Sequence, residues 1–182
     1  MKYATSTVQT SYDSPLGRLI LAACGERLAG VWFADQRHLP DLSHWPEVNG
    51  HPLLQQASEQ LGDYFAGQRL DFDLPLDLAC GTAFQQAVWR ALLAIPRGAT
   101  CSYGALSAAI GKPAAVRAVG GAIGRNPLSI IVPCHRVIGV GGSLTGYAGG
   151  LARKTALLQL EGAAFRPELA AGPTFLTTQS RP

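Results

Sequence analysis

The sequence predicts an α/β (α+β) protein that is divided into two small domains. Short alternating segments dominate the first part of the chain, helical spacing of apolar residues dominates the second, and the charge balance reverses near residue 80. With 182 residues, 47% of them hydrophobic and 15% charged, the chain can bury a core and is too apolar for long disorder. We expect an N-terminal domain at 1–80, a second domain at 81–166 and a mobile tail at 167–182.

The N-terminal domain is predicted to be a small antiparallel sheet with one helix. Three alternating segments, separated by turn sequences, predict strands at residues 7–12, 18–24 and 27–33. After a polar stretch, residues 53–65 carry apolar side chains at helical spacing: Leu54, Ala57, Leu61 and Phe65. Nothing in this domain resembles a reactive site.

Neither the histidines nor the cysteines show a metal-binding pattern. The histidines of the first domain lack ligand spacing and are interpreted as surface residues: His38, His44 and His51. The cysteines are widely spaced without a CxxC pair, which disfavours disulfides and zinc: Cys24, Cys80, Cys101 and Cys134.

No apolar run approaches the roughly 18 residues that a membrane span needs. We therefore expect no membrane association and a cytoplasmic location.

Charge is segregated along the chain. Residues 1–80 contain five Lys or Arg and ten Asp or Glu, a balance of −5, whereas residues 81–166 contain nine against one, a balance of +8. A small domain with that surplus is expected to bind a polyanion, of which nucleic acid is the commonest. A basic surface with no such partner is the alternative that composition leaves open.

The second domain is predicted to be mostly helical and to contain a helix-turn-helix. Thr82 and Gln85 form a capping-box pattern at the start of a helix. Ser102 can then cap a short helix over residues 103–110, and a Gly-Lys-Pro break precedes a second helix over residues 114–124. Both DNA-binding proteins and helical pairs without a DNA role share this outline.

The second of these helices contains two adjacent glycines. Its inward face is predicted to hold three apolar residues: Val116, Val119 and Ile123. Gly120 and Gly121 each cost about 1 kcal/mol relative to alanine in a helix, which indicates that another backbone approaches closely. That backbone is either protein or the wall of a DNA groove, with Arg117 as the long side chain on the outer face.

A candidate nucleophile follows this helix. The β-branched run at residues 129–132 is predicted to be a short buried strand that places Cys134 at the edge of the core. The thiolate is the reactive form of cysteine, so a reactive Cys134 needs a base and positive surroundings. His135 and Arg136 offer both. Because the side chains of adjacent residues diverge, a water molecule would carry the proton from Cys134 to His135. A core cysteine beside a surface histidine is the alternative.

Glu161 is the one acidic residue of the second domain, and it lies near the end of a predicted helix over residues 151–161. The helix dipole and partial burial both oppose a carboxylate there, so it should have a partner. With His135 it would complete a Cys, His, Glu relay that activates a nucleophile. A surface salt bridge with Arg153 or Lys154 is equally open.

Four sequence blocks follow one another in the second domain. They are SYGALS at 102–107, RAVGGAIGRNP at 117–127, IVPCHRVIG at 131–139 and TGYAGGLARK at 145–154. In order and spacing, residues 81–162 closely resemble the catalytic domain of the O6-alkylguanine-DNA alkyltransferase family. The first 80 residues resemble that family loosely, mainly through SPLG at 14–17.

The resemblance implies a role for each candidate site residue. Cys134 would accept an alkyl group, and His135 would be its base through a water. Glu161 would orient His135, and Asn126 would be a hinge that steadies the network. Residues that would bind the substrate base are Tyr103, Val137, Tyr147 and Ala148. Arg117 would enter the space left by a flipped base, with Ala118 and Gly121 on the helix face that lies in the minor groove.

The resemblance also implies the reaction. The partner would be double-stranded DNA with an alkylated guanine, which is flipped into a pocket at a cost of a few kcal/mol. The product is a thioether on Cys134, so each molecule reacts once and needs no cofactor or metal. Some relatives carry zinc in the N-terminal domain, but this sequence offers no persuasive ligand set, and we expect none. We expect a monomer, associated with the nucleoid in a bacterium. Activity on O4-alkylthymine and cooperative binding on DNA are left open.

Two other function classes are weighed against this one. Alkyltransferase-like proteins, which bind damage without repairing it, carry tryptophan where this chain has Cys134. A helix-turn-helix regulator with a structural cysteine, or a cysteine hydrolase unrelated to DNA, is the other alternative. The charge division and Arg117 favour DNA over a peptide substrate.

Overall fold

The N-terminal sheet forms where the alternating segments predict it. In the computed structural model, which describes residues 1–166, three antiparallel strands lie side by side: β1 (Thr7–Ser14), β2 (Gly17–Cys24) and β3 (Arg27–Phe33). Gly17 ends the first turn and Gly25 begins the second, with φ values of 112° and 55°, which glycine adopts readily. The mobile tail expected at 167–182 lies outside the described residues.

Helix α1 (Pro52–Phe65) packs against this sheet. Pro52 occupies the first turn, where its missing N–H has no partner to lose. The buried face of the helix consists of Leu53, Leu54, Ala57, Gln60, Leu61 and Tyr64. The predicted inward positions Leu54, Ala57 and Leu61 are confirmed, whereas Phe65 is half-buried and Tyr64 takes the deeper place.

The second half is mostly helical, as predicted. Its elements are α2 (Ala83–Leu93), β4 (Cys101–Ser102), α3 (Tyr103–Ala109), α4 (Val116–Ile123), β5 (Val137–Ile138) and α5 (Leu151–Leu160). The capping box is confirmed, because Gln85 N–H donates to Thr82 Oγ1 and Thr82 N–H donates to Gln85 Oε1. Ser102 Oγ accepts from the backbone of α3, which confirms the second cap. Short strands β4 and β5 pair in parallel.

Helix α4 is rotated relative to the predicted inward face. Val119 and Ile123 are buried as expected, but Val116 is 37% exposed. The third buried position is Ala122, on the side of the contact with α2, where Trp89 Nε1–H donates to the carbonyl of Ala122 at 2.9 Å. The first turn of α4 stays at the surface.

The strand predicted at residues 129–132 is wrong. The run is buried, but it folds into a turn in which Val132 N–H donates to the carbonyl of Leu128 at 2.8 Å. Ile130 has a φ of 73°, a left-handed conformation that costs a β-branched residue about 1–3 kcal/mol. The β-branched residues of this run are buried, but their backbone is not an extended strand. A short exchange of backbone hydrogen bonds with Val31 of β3 takes the place of the hydrogen bonds along a paired strand.

One apolar cluster runs through both halves of the chain. It includes Leu21 and Val31 of the sheet, Leu61 of α1, Trp89 of α2 and Leu157 of α5. The boundary at residue 80 therefore stays a prediction, while the α+β fold class is confirmed. Within residues 1–166, none of the helices combines the length and the apolar character that crossing a membrane requires.

Candidate active site

Cys134 lies in the wall of a pocket of about 210 Å³ where the two halves meet. The wall consists of Arg37, His38, Tyr103, Gly120, Ile123, Gly124, Cys134, Gly146, Tyr147 and Ala148. Pockets for drug-sized ligands are larger, at about 300–1,000 Å³. The volume therefore favours a ligand the size of a single base.

Asn126 fixes the sulfur of Cys134. The thiol belongs to the first residue of a short 3₁₀ helix, Cys134–Arg136, and the residue is 5% exposed. Asn126 Nδ2–H donates to Cys134 Sγ at 3.1 Å and to the carbonyl of Val132 at 2.8 Å, while its Oδ1 accepts from Leu128 N–H at 3.0 Å. One buried amide thus closes the turn and orients the sulfur.

His135, which follows Cys134 in the 3₁₀ helix, forms a buried pair with Glu161. His135 Nε2 lies 3.0 Å from Glu161 Oε1, and both side chains are fully shielded from solvent. Because an ionised carboxylate only accepts hydrogen bonds, Nε2 carries the proton and Nδ1 keeps its lone pair. Nδ1 has no hydrogen-bond partner among residues 1–166. A neutral imidazole in this tautomer presents Nδ1 as the base.

Glu161 is not part of a surface salt bridge. It caps the C-terminus of α5 and accepts two hydrogen bonds of 2.8 Å from Arg136 and one of 2.9 Å from Tyr64 Oη, besides that from His135. Arg153 instead pairs with Asp35, at 2.7 Å. The carboxylate therefore has the buried partners that its position at the end of a helix requires.

The other predicted site residues lie in the pocket wall, in the core and at the surface. Tyr103, Tyr147 and Ala148 line the pocket, and Tyr103 Oη–H donates to the carbonyls of residues 145 and 146 over 3.4 and 3.5 Å. Val137 is buried outside the pocket wall. The predicted DNA-contacting residues lie along α4, where Arg117 and Ala118 are exposed and Gly121 is half-buried.

Two family profiles match the chain. The profile described as 6-O-methylguanine DNA methyltransferase, DNA binding domain, matches residues 83–163, and that described as 6-O-methylguanine DNA methyltransferase, ribonuclease-like domain, matches residues 7–78. The chain belongs to the 6-O-methylguanine DNA methyltransferase family. The resemblance found in the sequence is thereby confirmed, and it extends to the first 80 residues, where the motifs alone indicated it only loosely.

Relatives in this family are similar over most of their length. A methylated-DNA–protein-cysteine methyltransferase of Mycobacterium leprae is 53% identical over 151 residues, 83% of this chain and 90% of the relative. One from Haemophilus influenzae is 44% identical over 158 residues, covering 86% and 87%. A crystal structure of the Mycobacterium tuberculosis O6-methylguanine methyltransferase has a TM-score of 0.79 at 51% identity and covers 86% and 93%. Another, in complex with DNA, has the same score and identity and covers 85% and 92%.

Burial sets the protonation states of this methyltransferase-family site. Burial raises the pKa of the Cys134 thiol, although the hydrogen bond from Asn126 and the charge of Lys154 oppose it. Burial also lowers the pKa of His135 against the pull of Glu161. Burial alone would raise the pKa of Glu161, but hydrogen bonds from His135 and Arg136 outweigh it and hold the pKa at about 2. At rest the site thus contains a thiol, a neutral imidazole and a carboxylate.

Lys154 is a site residue that the sequence reasoning missed. It is fully buried, and its Nζ donates to the carbonyls of Val137 and Thr145. Burial lowers its pKa to about 8, and the neighbouring Cys134 sulfur counteracts this shift. The signal was present, because Lys154 shares the inward face of α5 with Leu157 and Glu161 at spacings of three and seven residues.

The N-terminal half contributes directly to the pocket. Arg37 and His38, interpreted from sequence as part of an inert surface stretch, lie in its wall, and Arg37 N–H donates to the carbonyl of Ala148 at 3.0 Å. Arg153 bonds the carboxylate of Asp35 and the carbonyl of Leu16. The SPLG turn and the TGYAGGLARK block, far apart in sequence, are thus joined.

The structure also bears on the two glycines of α4. A Cβ built at Gly120 would lie 3.7 Å from the ring of Tyr103, and one at Gly121 would lie 3.5 Å from the guanidinium of Arg125. Both are ordinary contacts with side chains. Within residues 1–166, then, the atoms nearest to these two positions belong to side chains, and no protein backbone accounts for either glycine. In the same part of the chain, no three His, Cys, Asp or Glu side chains form a metal-binding group.

Proposed function

We propose that this protein repairs duplex DNA by transferring the alkyl group of O6-alkylguanine to Sγ of its own Cys134. The observation that carries the proposal is Cys134 in the wall of a base-sized pocket, next in the 3₁₀ helix to a His135 that is paired with the buried Glu161. The names of the relatives and the solved complex with DNA support methylated DNA as the substrate. The transfer from DNA to a cysteine of the protein itself is also what those names describe.

The proposed chemistry is a substitution at carbon. The proton of Cys134 passes to Nδ1 of His135 through a water molecule, and the sulfur attacks the alkyl carbon as the bond between that carbon and O6 breaks. The electron pair of the broken bond goes to guanine, which takes up one proton and so balances the proton that left the thiol. Tyr103 donates a hydrogen bond to the leaving base.

The buried charges favour the thiolate while the reaction proceeds. Arg136 and Glu161 neutralise each other, so Lys154 is left as a buried cation that faces Cys134 without a carboxylate among its described contacts. A thiolate on Cys134 compensates this charge in a medium of low polarity. The resulting thioether has no good leaving group, so each molecule acts once.

DNA binding is proposed for the exposed cations of the second half. Part of its positive surplus is internal, because Arg136 and Lys154 are buried and Arg153 is paired. The exposed cations are Arg90, Lys112, Arg117, Arg125 and Arg166. We infer that α4 enters the minor groove with Ala118 and Gly121 against the backbone. A monomer that acts in the cytoplasm or on the nucleoid, and the domain division at residue 80, belong to the same proposal.

Counting transferred methyl groups tests the proposal. Purified protein is mixed with an excess of duplex that carries a labelled methyl group on O6 of guanine, and the protein-bound label is followed to its plateau. We expect one methyl group per protein molecule and no further loss of lesions. A duplex labelled on N7 of guanine is the control and should transfer nothing. Continued turnover, or lesion loss without label on the protein, would contradict single-use transfer.

Replacing Arg117 by alanine should separate base flipping from chemistry. Without a side chain to fill the space left in the helix, the flipped base is less favoured, and we expect transfer from duplex to be roughly tenfold slower. Reaction with O6-methylguanine as a free base should be near normal. Single-turnover rates for both substrates are the measurement.

The matched control is Arg27→Ala, which removes an exposed positive charge from β3 of the N-terminal half, outside the cations proposed to bind DNA. It should have a much smaller effect on duplex repair. Equal losses toward duplex and free base in Arg117→Ala would contradict a flipping role, since the free base needs no flipping.

A further inference from the structure

Tyr64 extends from the N-terminal half into the buried network of the active site. It lies on α1, and its Oη–H donates to Glu161 Oε1 at 2.9 Å, across 97 residues of sequence. The ring is completely buried against Phe65 and Phe72, and the guanidinium of Arg97 lies over its face, 5.3 Å from the centroid. The phenol is therefore held firmly on the carboxylate.

Three donors share one oxygen of Glu161. Oε1 accepts from His135, from Arg136 and from Tyr64, whereas Oε2 accepts from Arg136 alone. Because Arg136 binds both oxygens, it already fixes the orientation of the carboxylate. The phenol is therefore not needed to aim Glu161. It takes up part of the negative charge on the atom that His135 uses.

We propose that Tyr64 is a positioning residue for alkyl transfer, because its phenol limits how strongly Glu161 attracts the proton of His135. This inference rests on the proposed function of the Cys134 site. It also gives the N-terminal half a part in the chemistry, since the sheet and α1 hold the group that adjusts the base.

The sign of the effect follows from the hydrogen bonds. A carboxylate stabilises an imidazolium beside it, and every other donor to the same oxygen weakens that attraction. The other groups around the pair are Arg97, Arg136, Lys154 and Cys134. Burial and the charge of Glu161 raise the pKa of Tyr64 above its ordinary value, so the phenol stays protonated and donates. Loss of the phenol should therefore make His135 more basic.

Titration of His135 in Tyr64→Phe tests this directly. Phenylalanine keeps the ring, its packing and the contact with Arg97, and removes only the hydroxyl. We expect the pKa of His135, followed by ¹⁵N NMR and assigned with His135→Gln, to rise by about half a unit. The acid limb of methyl transfer should move to higher pH by the same amount. Tyr12→Phe, which removes a hydroxyl next to Gly62 of α1 and away from Glu161, is the matched control and should shift neither.

A second variant keeps the test decisive if Tyr64→Phe is too unstable to titrate. Site-specific 3,5-difluorotyrosine at position 64 is a stronger donor and should lower the pKa of His135 and move the acid limb to lower pH. Packing alone would not give opposite shifts in the two variants. A His135 titration that is unchanged in the difluorotyrosine variant would overturn the role of Tyr64, whether or not Tyr64→Phe can be titrated. The titration needs no DNA, so failure of the wild type to take a methyl group from DNA would contradict the proposed function separately.

Discussion

Replacing Cys134 by serine is expected to abolish alkyl transfer while DNA binding is retained. A buried serine hydroxyl is far less acidic than a thiol, and the neutral His135 is too weak a base to ionise it. The side chains are similar in size, and Cys134 is buried and is not part of the exposed face of α4, so the surface proposed to bind DNA should be unchanged. Labelled methyl transfer and a duplex binding assay measure the two properties.

The control for this variant is Cys24→Ser, at the end of β2. Its thiol lies on the N-terminal sheet, outside the pocket wall, and transfer should proceed at the wild-type rate. Measurable transfer by Cys134→Ser would show that another group can accept the alkyl group. Loss of DNA binding in the same variant would show that Cys134 has a structural role instead.

Glu161→Gln should impair both reactivity and stability. The amide removes the anion that holds His135 in its reactive tautomer, and we expect single-turnover transfer to fall by about 100-fold or more. It also leaves the guanidinium of Arg136 buried without a counter-charge, and breaking a buried pair in this way costs about 3–5 kcal/mol. Urea unfolding and transfer rates measure the two effects. Glu59→Gln, an exposed carboxylate on α1, should change neither.

The stability loss in Glu161→Gln should depend on pH in a definite direction. The pKa of Glu161 is lowered from 4.5 to about 2 in the folded protein, so its ionised form stabilises the fold above the unfolded value. This contribution, on the order of 3 kcal/mol, is lost as pH falls from about 4.5 toward 2. The difference between wild type and variant should shrink over that window. A constant difference would contradict the account of Glu161 as a buried anion.

The sequence predicted the elements that depend on local patterns. Alternation gave β1, β2 and β3, and the caps at Thr82 and Ser102 gave the starts of α2 and α3. The strand prediction at 129–132 was wrong because β-branched residues indicate that a segment is buried and do not fix its backbone conformation. The backbone there follows the hydrogen bonds of one side-chain amide, that of Asn126. Asn126 bonds the turn internally and removes the need for a partner strand.

The part of the site that could be predicted consists of residues whose chemistry requires a partner. Cys134, His135 and Glu161 could be proposed together because a lone acid in a basic domain needs a partner. Tyr64 could not be found in this way, since a tyrosine on the inward face of α1 has the same pattern as a core residue. Its contact with Glu161 depends on how the two halves of the chain pack together, and a local sequence pattern does not predict that packing.

The charge division overstated the positive surface of the second half. Arg153 is paired with Asp35 of the other half, and Arg136 and Lys154 serve the buried site. Composition counts such residues as if they were exposed. The five exposed cations, Arg117 among them, are the ones available for phosphates.

The most direct test of the central claim is to locate the methyl group after reaction. The protein is treated with duplex containing O6-methylguanine, digested and analysed by peptide mass so that the peptides with Cys24, Cys80, Cys101 and Cys134 are all covered. We expect one methyl group on the Cys134 peptide and none on the other three. A methyl group on a different residue, or a repaired guanine with an unmodified protein, would contradict the claim that Cys134 is the acceptor.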